Sequence, residues 1–317
     1  MKKSAYFIGW TTKNNMRNTL KIGSRGSALA LIQAEQVKTK LLALNPNLDI
    51  VIISIQTEGD INQSAPLHEI GGKGVFIKSI EKALINNDID MAVHSLKDIT
   101  ATLEPNTELA AYLSPESRND CLILSKNTPL SALTELPNNS SIATGSLRRK
   151  LLLQHINPSW LCKNIRGNVG TRIQRCKEGY ADALILSEAG LLRLNQKNDI
   201  SLSLNPHEFI PAPGQGVVAV QTKSNDSWCL ALLQQINDTK QAFLSQSELA
   251  IVNNVGLDCN YPLGLYAWTE QDTLHMRAFW GNQSCTKHFT DYATCPIENS
   301  HLLIQDLSEK IKLSIHD

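Results

Sequence analysis

Residues 141–172, SIATGSLRRKLLLQHINPSWLCKNIRGNVGTR, read as one strand–turn–helix unit followed directly by a second. A chain with two such units in series is committed to an α/β fold, with strands and crossover helices alternating. Residues 141–144 form a short strand, Gly145 and Ser146 a tight turn, and residues 147–155 carry apolar side chains at helical spacing. Residues 160–165 give the next strand, Gly167 the next turn, and Asn168 opens the next helix. Each turn delivers backbone N–H groups at a helix N-terminus, where orphan donors and the helix dipole favour an anion. Arg148, Arg149, Arg166 and Arg172 stand at these same junctions, and a guanidinium pairs bidentately with carboxylate or phosphate. The pattern points to a ligand with several negative groups. For any single arginine the alternative is a solvated helix face; it explains less well why four gather at two successive junctions.

Charge balance narrows the ligand. The 317 residues hold 30 lysines and arginines against 30 aspartates and glutamates. So neutral a chain lacks the basic footprint of a general nucleic-acid binder, and 5% aromatic residues give little surface for stacking bases. The arginines therefore read as a local pocket for small anions. The length exceeds what one core usually serves, so two or three domains are expected. None of the seven cysteines forms a C-x-x-C pair, and no zinc framework or other metal site is expected. Free thiols suit a reducing compartment. No apolar run is long enough to span a membrane. Residues 1–18 are basic but too interrupted for a secretory signal, so they read as a disordered extension, with Met16 as an alternative start. The expected location is the cytoplasm.

Taken in order, residues 20–22 form a strand that runs into Gly23-Ser24-Arg25-Gly26-Ser27, and an amphipathic helix follows. Residues 49–56 are a buried strand. The polar stretch to Gly74, with Pro66 and GGKG at 71–74, reads as a mobile loop and lacks the spacing of a P-loop. A helix covers 75–85 and a strand 90–94, followed at once by Ser95-Leu96-Lys97-Asp98. That places Lys97 and Asp98 at the carboxyl end of a strand, where open α/β sheets hold ligands. Asp98 is the carboxylate best placed for proton work; surface loop charges are the alternative. Residues 109–113 and 120–124 read as consecutive strands with no helix between them, as if the chain crosses into a second domain. After a strand at 181–186 and a helix carrying Arg193, residues 209–221 cross back. Two crossings make a hinge between two βα domains with a cleft between them.

A helix at 240–252, a strand pair at 265–269 and 273–280, and a helix at 300–315 make a small third α+β domain. Cys259 lies in its loop between Gly256 and Pro262. It is either a reactive thiol or one more small apolar side chain. The expected division is domain 1 at 19–113 with 215–235, domain 2 at 114–210 and domain 3 at 238–317.

Seven stretches in this order resemble the porphobilinogen deaminase (hydroxymethylbilane synthase) family: SRGSALAL at 24–31, GGKGVF at 71–76, AVHSLKD at 92–98, TGSLRR at 144–149, IRGNVGTR at 165–172, PAPGQG at 211–216 and CNYPLG at 259–264. The resemblance implies two domains like those of periplasmic binding proteins and a third that carries a dipyrromethane cofactor, held by a thioether to Cys259. It implies a transferase of tetrapyrrole and heme biosynthesis. Such an enzyme joins four porphobilinogen molecules head to tail, releases four ammonia molecules, and works as a monomer without nucleic acid or membrane. Asp98 matches the catalytic aspartate. Lys97, Ser146, Arg148 and Arg149, with Asp98, match cofactor contacts; Arg25, Ser27, Arg166, Arg172, Arg193 and Gln215 match substrate contacts. The loop at 60–74, with Lys73 and Phe76 beside it, would cover the cleft.

The chain also departs from the family pattern. Glu248 is followed by Leu249 instead of arginine, Gly256-Leu257-Asp258 replaces Glu-Gly-Gly before the cysteine, Ser117-Arg118-Asn119-Asp120 replaces Asp-Pro-Arg-Asp, and Thr100 replaces a proline. These changes define a second reading: a relative with impaired cofactor loading that binds polycarboxylates without turning them over.

Overall fold

The computed structural model describes residues 19–56, 77–99, 102–126, 130–256, 261–282 and 286–315. The extension at 1–18, the expected cover loop with Lys73 and Phe76, Thr100, and Cys259 with Leu257 and Asp258 lie outside these residues.

The first sheet comprises β1 (Thr19–Arg25), β2 (Asp49–Ile55), β3 (Met91–Ser95), β4 (Thr107–Leu113) and β10 (Val218–Lys223), in the order β2-β1-β3-β10-β4. β1 pairs in parallel with β2 and β3, while β10 runs antiparallel to β3 and β4. Helix α1 (Ala28–Leu44) starts where the Ser27 hydroxyl accepts the Ala30 N–H, the usual capping contact. Its Ala34, Val37 and Leu41 are buried against Leu20, Ile22 and Met91 of the sheet. Helix α2 (Lys78–Ile85) buries Ile80 and Leu84 with Ile89 and Ala92.

The second sheet repeats this plan. It comprises β5 (Asp120–Leu124), β6 (Ser141–Ala143), β7 (Leu161–Lys163), β8 (Ala183–Ser187) and β9 (Leu202–Leu204), in the order β7-β6-β8-β5-β9. β6 is parallel to β7 and β8, and β5 is antiparallel to β8 and β9. Helices α3 (Leu147–Ile156), α4 (Val169–Lys177) and α5 (Glu188–Arg193) follow β6, β7 and β8. Ser146 caps α3 through the Arg149 N–H, and Asn168 caps α4 through the Thr171 N–H. Both turns of the double unit thus take the expected form.

In each sheet the antiparallel strand beside the parallel trio is the one by which the chain arrives from the other sheet: β5 after the first crossing, β10 after the second. The crossings lie side by side. Gly216 has φ +83°, and a Cβ there would stand 2.0 Å from the Ser117 carbonyl oxygen; only glycine fits both the left-handed backbone and the contact.

Helix α6 (Ser227–Ile236) returns to pack Cys229, Leu232 and Leu233 into the first core. Helix α7 (Thr239–Val255), capped by Asp238 and ended by Gly256 at φ +71°, packs with α8 (Ser300–Ile315) on an antiparallel sheet of β11 (Leu263–Glu270), β12 (Thr273–Gly281) and β13 (His288–Pro296). The expected strand pair is therefore a three-stranded sheet. β13 alternates half-buried Phe289, Ala293 and Cys295 with exposed polar side chains, the pattern of an edge strand with one covered face. Among the described residues no helix is long and apolar enough to cross a membrane.

One buried carboxylate ties the three sheets. Glu248 of α7, fully buried, accepts two bonds from Arg118 Nη2 at 2.7 and 2.8 Å, one from the Gly214 N–H at 2.7 Å and one from the Ala267 N–H at 2.9 Å. It thus holds both crossings and β11. Arg118, which stands where the family motif has proline, is the cation on Glu248, and Leu249 packs against the apolar cluster of Leu96 and Val217.

Candidate active site

A cleft of about 1110 Å3 lies between the first two sheets. Its walls are the segments that leave the carboxyl ends of the parallel strands. β1 delivers Arg25 and Ser27, β3 delivers Ser95, Lys97 and Asp98, β6 delivers Arg149, β7 delivers Arg166 through Arg172, and β8 delivers Ser187, Gly190 and Arg193. Open α/β sheets bind ligands at this end because the turns bring helix N-termini together there.

The carboxylate of the lining, Asp98, comes from the first sheet together with Arg25 and Lys97, and the charged groups from the second sheet are all guanidiniums. Asp98 occupies a short 3-10 turn, Leu96–Asp98, directly after β3. His94 is buried behind it; burial lowers its pKa to about 4, while the Gln221 hydrogen bond and the nearby Asp98 charge pull the other way. Its Nε2 lies 3.0 Å from Gln221 Oε1, so the neutral ring donates from Nε2. The Gln221 amide in turn donates to Glu81 Oε1 at 2.9 Å and to the Thr107 hydroxyl at 2.8 Å. Gln33 and Ser95 bond each other at 2.8 and 3.1 Å. They line, with Arg25, Ser27, His94 and Asp98, a small cavity of about 80 Å3 that shares its lining with the cleft. His94, Gln33 and Ser95 were not singled out from the sequence. Gln33 carried a usable signal, a polar residue on the buried face of an apolar helix.

Facing them, the second sheet presents guanidinium groups. The Arg172 pKa is lowered by burial and by the like charges of Arg149 and Arg166, and the Asp98 charge across the cleft opposes this. Three guanidiniums that raise one another's cost form a site that an anion relieves. Arg193 pairs with Glu116 at 2.7 Å and donates to the Gly216 carbonyl at 2.8 Å.

The expected contacts do not all reach the cleft. Arg25, Ser27, Lys97, Asp98, Arg149, Arg166, Arg172 and Arg193 line it; Ser146, Arg148 and Gln215 do not. Ser146 is committed to capping α3. Arg148 gives Nη1 to the Ile210 carbonyl at 2.6 Å, and its Nη2 forms an ion pair with Asp120 Oδ2 at 2.8 Å. Gln215 is fully buried and donates to the Arg118 carbonyl and to Asp120 Oδ1. The reason is Asp120, buried at the head of β5. Burial pushes its carboxyl up, but the Arg148 and Arg149 guanidiniums together outweigh this and hold it below its usual range. Arg149 also gives Nε and Nη2 to Asp120 Oδ1 at 3.0 and 2.7 Å, so it reaches the cleft from a fixed base.

Six cationic side chains besides Arg148, set around one carboxylate, suit a ligand that is a string of carboxylates, as dipyrromethane and a growing pyrrole chain are. The loop of Cys259 begins after Gly256 and rejoins the described chain at Tyr261. Just beyond it, a Cβ at Gly264 would lie 2.9 Å from the Ile210 carbonyl oxygen and 3.2 Å from Arg148 Cδ, so the start of β11 is set against α3. Among the described residues no cluster of three or more His, Cys, Asp or Glu could hold a metal ion.

Residues 20–231 match the family model described as porphobilinogen deaminase, dipyromethane cofactor binding domain. The porphobilinogen deaminase of Chlorobium phaeovibrioides is 39% identical over 273 residues, 86% of this chain and 86% of that protein. That of Streptococcus sanguinis is 40% identical over 251 residues, 78% of this chain and 81% of that protein. Among solved structures, the periplasmic VFT2 domain of Bordetella pertussis BvgS is 16% identical, covering 74% of this chain and 92% of that one, with a TM-score of 0.41. The match over both sheets and the identity to these relatives place the chain in the porphobilinogen deaminase family.

Proposed function

We propose that this protein condenses four porphobilinogen molecules head to tail into the linear tetrapyrrole hydroxymethylbilane, releasing four ammonia molecules and taking up one water as the chain is freed. One observation carries the reading: Asp98 faces Arg149, Arg166 and Arg172 across a cleft lined at strand carboxyl ends. Porphobilinogen carries an acetate and a propionate, and the guanidiniums hold these groups so that the reacting carbon sits beside Asp98. As the amine leaves, positive charge spreads over the pyrrole and its methylene. The Asp98 side chain stabilises that charge and takes the proton that the ring carbon loses once the new bond has formed. Arg25 and Lys97 bind further carboxylates on the same side. Cys259 would hold dipyrromethane as a thioether, and the group would supply the pyrrole carbon to which the first substrate is joined. Arg148, Ser146 and Gln215 act from behind the wall by fixing α3 and Arg149.

The chain works as a cytoplasmic monomer in this reading. Cys121, Cys162, Cys176, Cys229 and Cys295 are free thiols, which suits a reducing compartment.

Intact mass of the purified protein beside Cys259→Ser tests the attachment. The expected result is a mass excess equal to two linked pyrrole units in the wild type and none in the variant. An unmodified wild-type mass, even after incubation with porphobilinogen, would contradict it.

A further inference from the structure

Arg193 is both a wall of the cleft and a brace of the hinge. Its side chain is 4% exposed, yet its Nε has no hydrogen-bond partner. Its Nη2 is shared between Glu116 Oε2 at 2.7 Å and the Gly216 carbonyl oxygen at 2.8 Å. Glu116 lies in the first crossing and Gly216 in the second. The other Glu116 oxygen, Oε1, accepts from Gln36 Nε2 of α1 at 3.2 Å. Gln36, Glu116, Arg193 and Gly216 therefore make one chain of contacts. It runs from the helix of the first sheet, through both crossings, to the last residue of α5 on the second sheet. Rotation of one sheet against the other about the crossings must stretch or break a link in it.

The two ends of the pair differ in environment. Glu116 is 34% exposed, whereas the guanidinium is enclosed and borders the ligand space. A ligand carboxylate entering the cleft can reach the same guanidinium that Glu116 occupies. Two carboxylates cannot both use Nη2, and the unpartnered Nε offers the newcomer a second donor, a fork that Glu116 does not fill.

We propose that Glu116 is a positioning residue that stands in for a ligand carboxylate on Arg193, so that the Arg193–Glu116 pair is an exchangeable hinge latch. In the empty cleft the latch ties the crossings to α1. When a polycarboxylate ligand binds, Arg193 transfers to the ligand, Glu116 is released, and the first crossing is freed. Ligand binding and hinge release are then coupled through differential affinity for the latched and unlatched states. Each added pyrrole brings more carboxylates into competition, so the hinge loosens as the chain lengthens. This last step rests on the deaminase reading; the exchange itself does not.

The test is calorimetric titration of the full chain with propane-1,2,3-tricarboxylate, for wild type, Glu116→Gln, Glu116→Ala, Arg193→Gln and the Glu116→Gln, Arg193→Gln pair. Removing the competing carboxylate should tighten binding in both Glu116 variants by about three- to tenfold, the usual worth of one half-exposed ion pair. Arg193→Gln should bind more weakly than wild type, and Glu116→Gln should change nothing further in that background. A pair that merely supports the fold would leave affinity unchanged or reduced when Glu116 is replaced. That result, or no binding heat from any of the proteins, overturns the latch. Ammonia release from porphobilinogen by the same preparations separates the two claims. No release by wild type, with tighter binding by Glu116→Gln, would fail the deaminase reading and leave the latch standing. Normal release, with no tightening, would fail the latch and leave the reading.

Discussion

The two five-stranded sheets share one topology and bury opposite kinds of polar group beneath their mouths. Under the first lies a hydrogen-bonded chain headed by the neutral His94, running through Gln221 to the Glu81 carboxylate and the Thr107 hydroxyl, with Asp98 above it. Under the second lies an ionic cluster, Asp120 with Arg148 and Arg149, below the guanidiniums of the cleft. A single fold thus sets Asp98, with Arg25 and Lys97, on one wall of the cleft and Arg149, Arg166, Arg172 and Arg193 on the other. The cost of disturbing each should differ. A buried ion cluster is expensive to break because it leaves uncompensated charge, whereas a neutral histidine shows itself chiefly in the pH dependence of stability.

The largest expected effect is on the ionic side. Asp120→Ala leaves two buried guanidiniums without their carboxylate and should cost about 3–5 kcal/mol in denaturant unfolding. A loss below about 1 kcal/mol would mean that the second mouth is not held by this cluster. Next comes the buried histidine of the first sheet. The folded His94 pKa is lowered to about 4 from 6.5, so between those values the unfolded chain binds a proton that the folded chain refuses. The His94 contribution is therefore fully present above pH 6.5 and is lost as pH falls towards 4, about 3 kcal/mol across the window. Unfolding free energies measured from pH 7 to pH 4 should fall less steeply in His94→Gln than in wild type; equal slopes would show that His94 is not the group responsible.

A third effect separates binding from stability. Arg172 is crowded by Arg149 and Arg166, so Arg172→Gln should leave unfolding within about 0.5 kcal/mol of wild type. It should nevertheless lower kcat/KM for porphobilinogen by about ten- to a hundredfold, one charged hydrogen bond. A stability loss comparable to that of Asp120→Ala would contradict the distinction between cleft and base. The smallest effect is at the surface: Lys177, half exposed and paired with Asp199, should cost less than about 0.5 kcal/mol as Lys177→Ala, by thermal unfolding.

What could be read from the sequence was local. The two strand–turn–helix units, the turn at Gly145 and Ser146, the helix start at Asn168, and the position of Asp98 just after a strand all follow from neighbouring residues. What could not be read depends on distant contacts. Arg148 and Arg149 are adjacent and chemically identical, yet one faces the cleft and the other does not, because Asp120 and Ile210 meet α3 from elsewhere in the chain. The substitution at Leu249 suggested a lost cation, and only the fold brings Arg118 to Glu248 across 130 positions. β9 is three residues long and β13 an edge strand rich in polar side chains. Neither carries enough apolar periodicity to stand out. His94 looked like an ordinary strand residue until Gln221 was placed beside it.

The central claim is that Asp98 performs the proton and charge work of the condensation in this cleft. It is tested most directly by steady-state ammonia release from porphobilinogen by Asp98→Ala, on protein whose intact mass matches that of cofactor-bearing wild type. The account predicts a fall of about a hundredfold or more, the usual contribution of a positioned acid–base group. Release at the wild-type rate would contradict it.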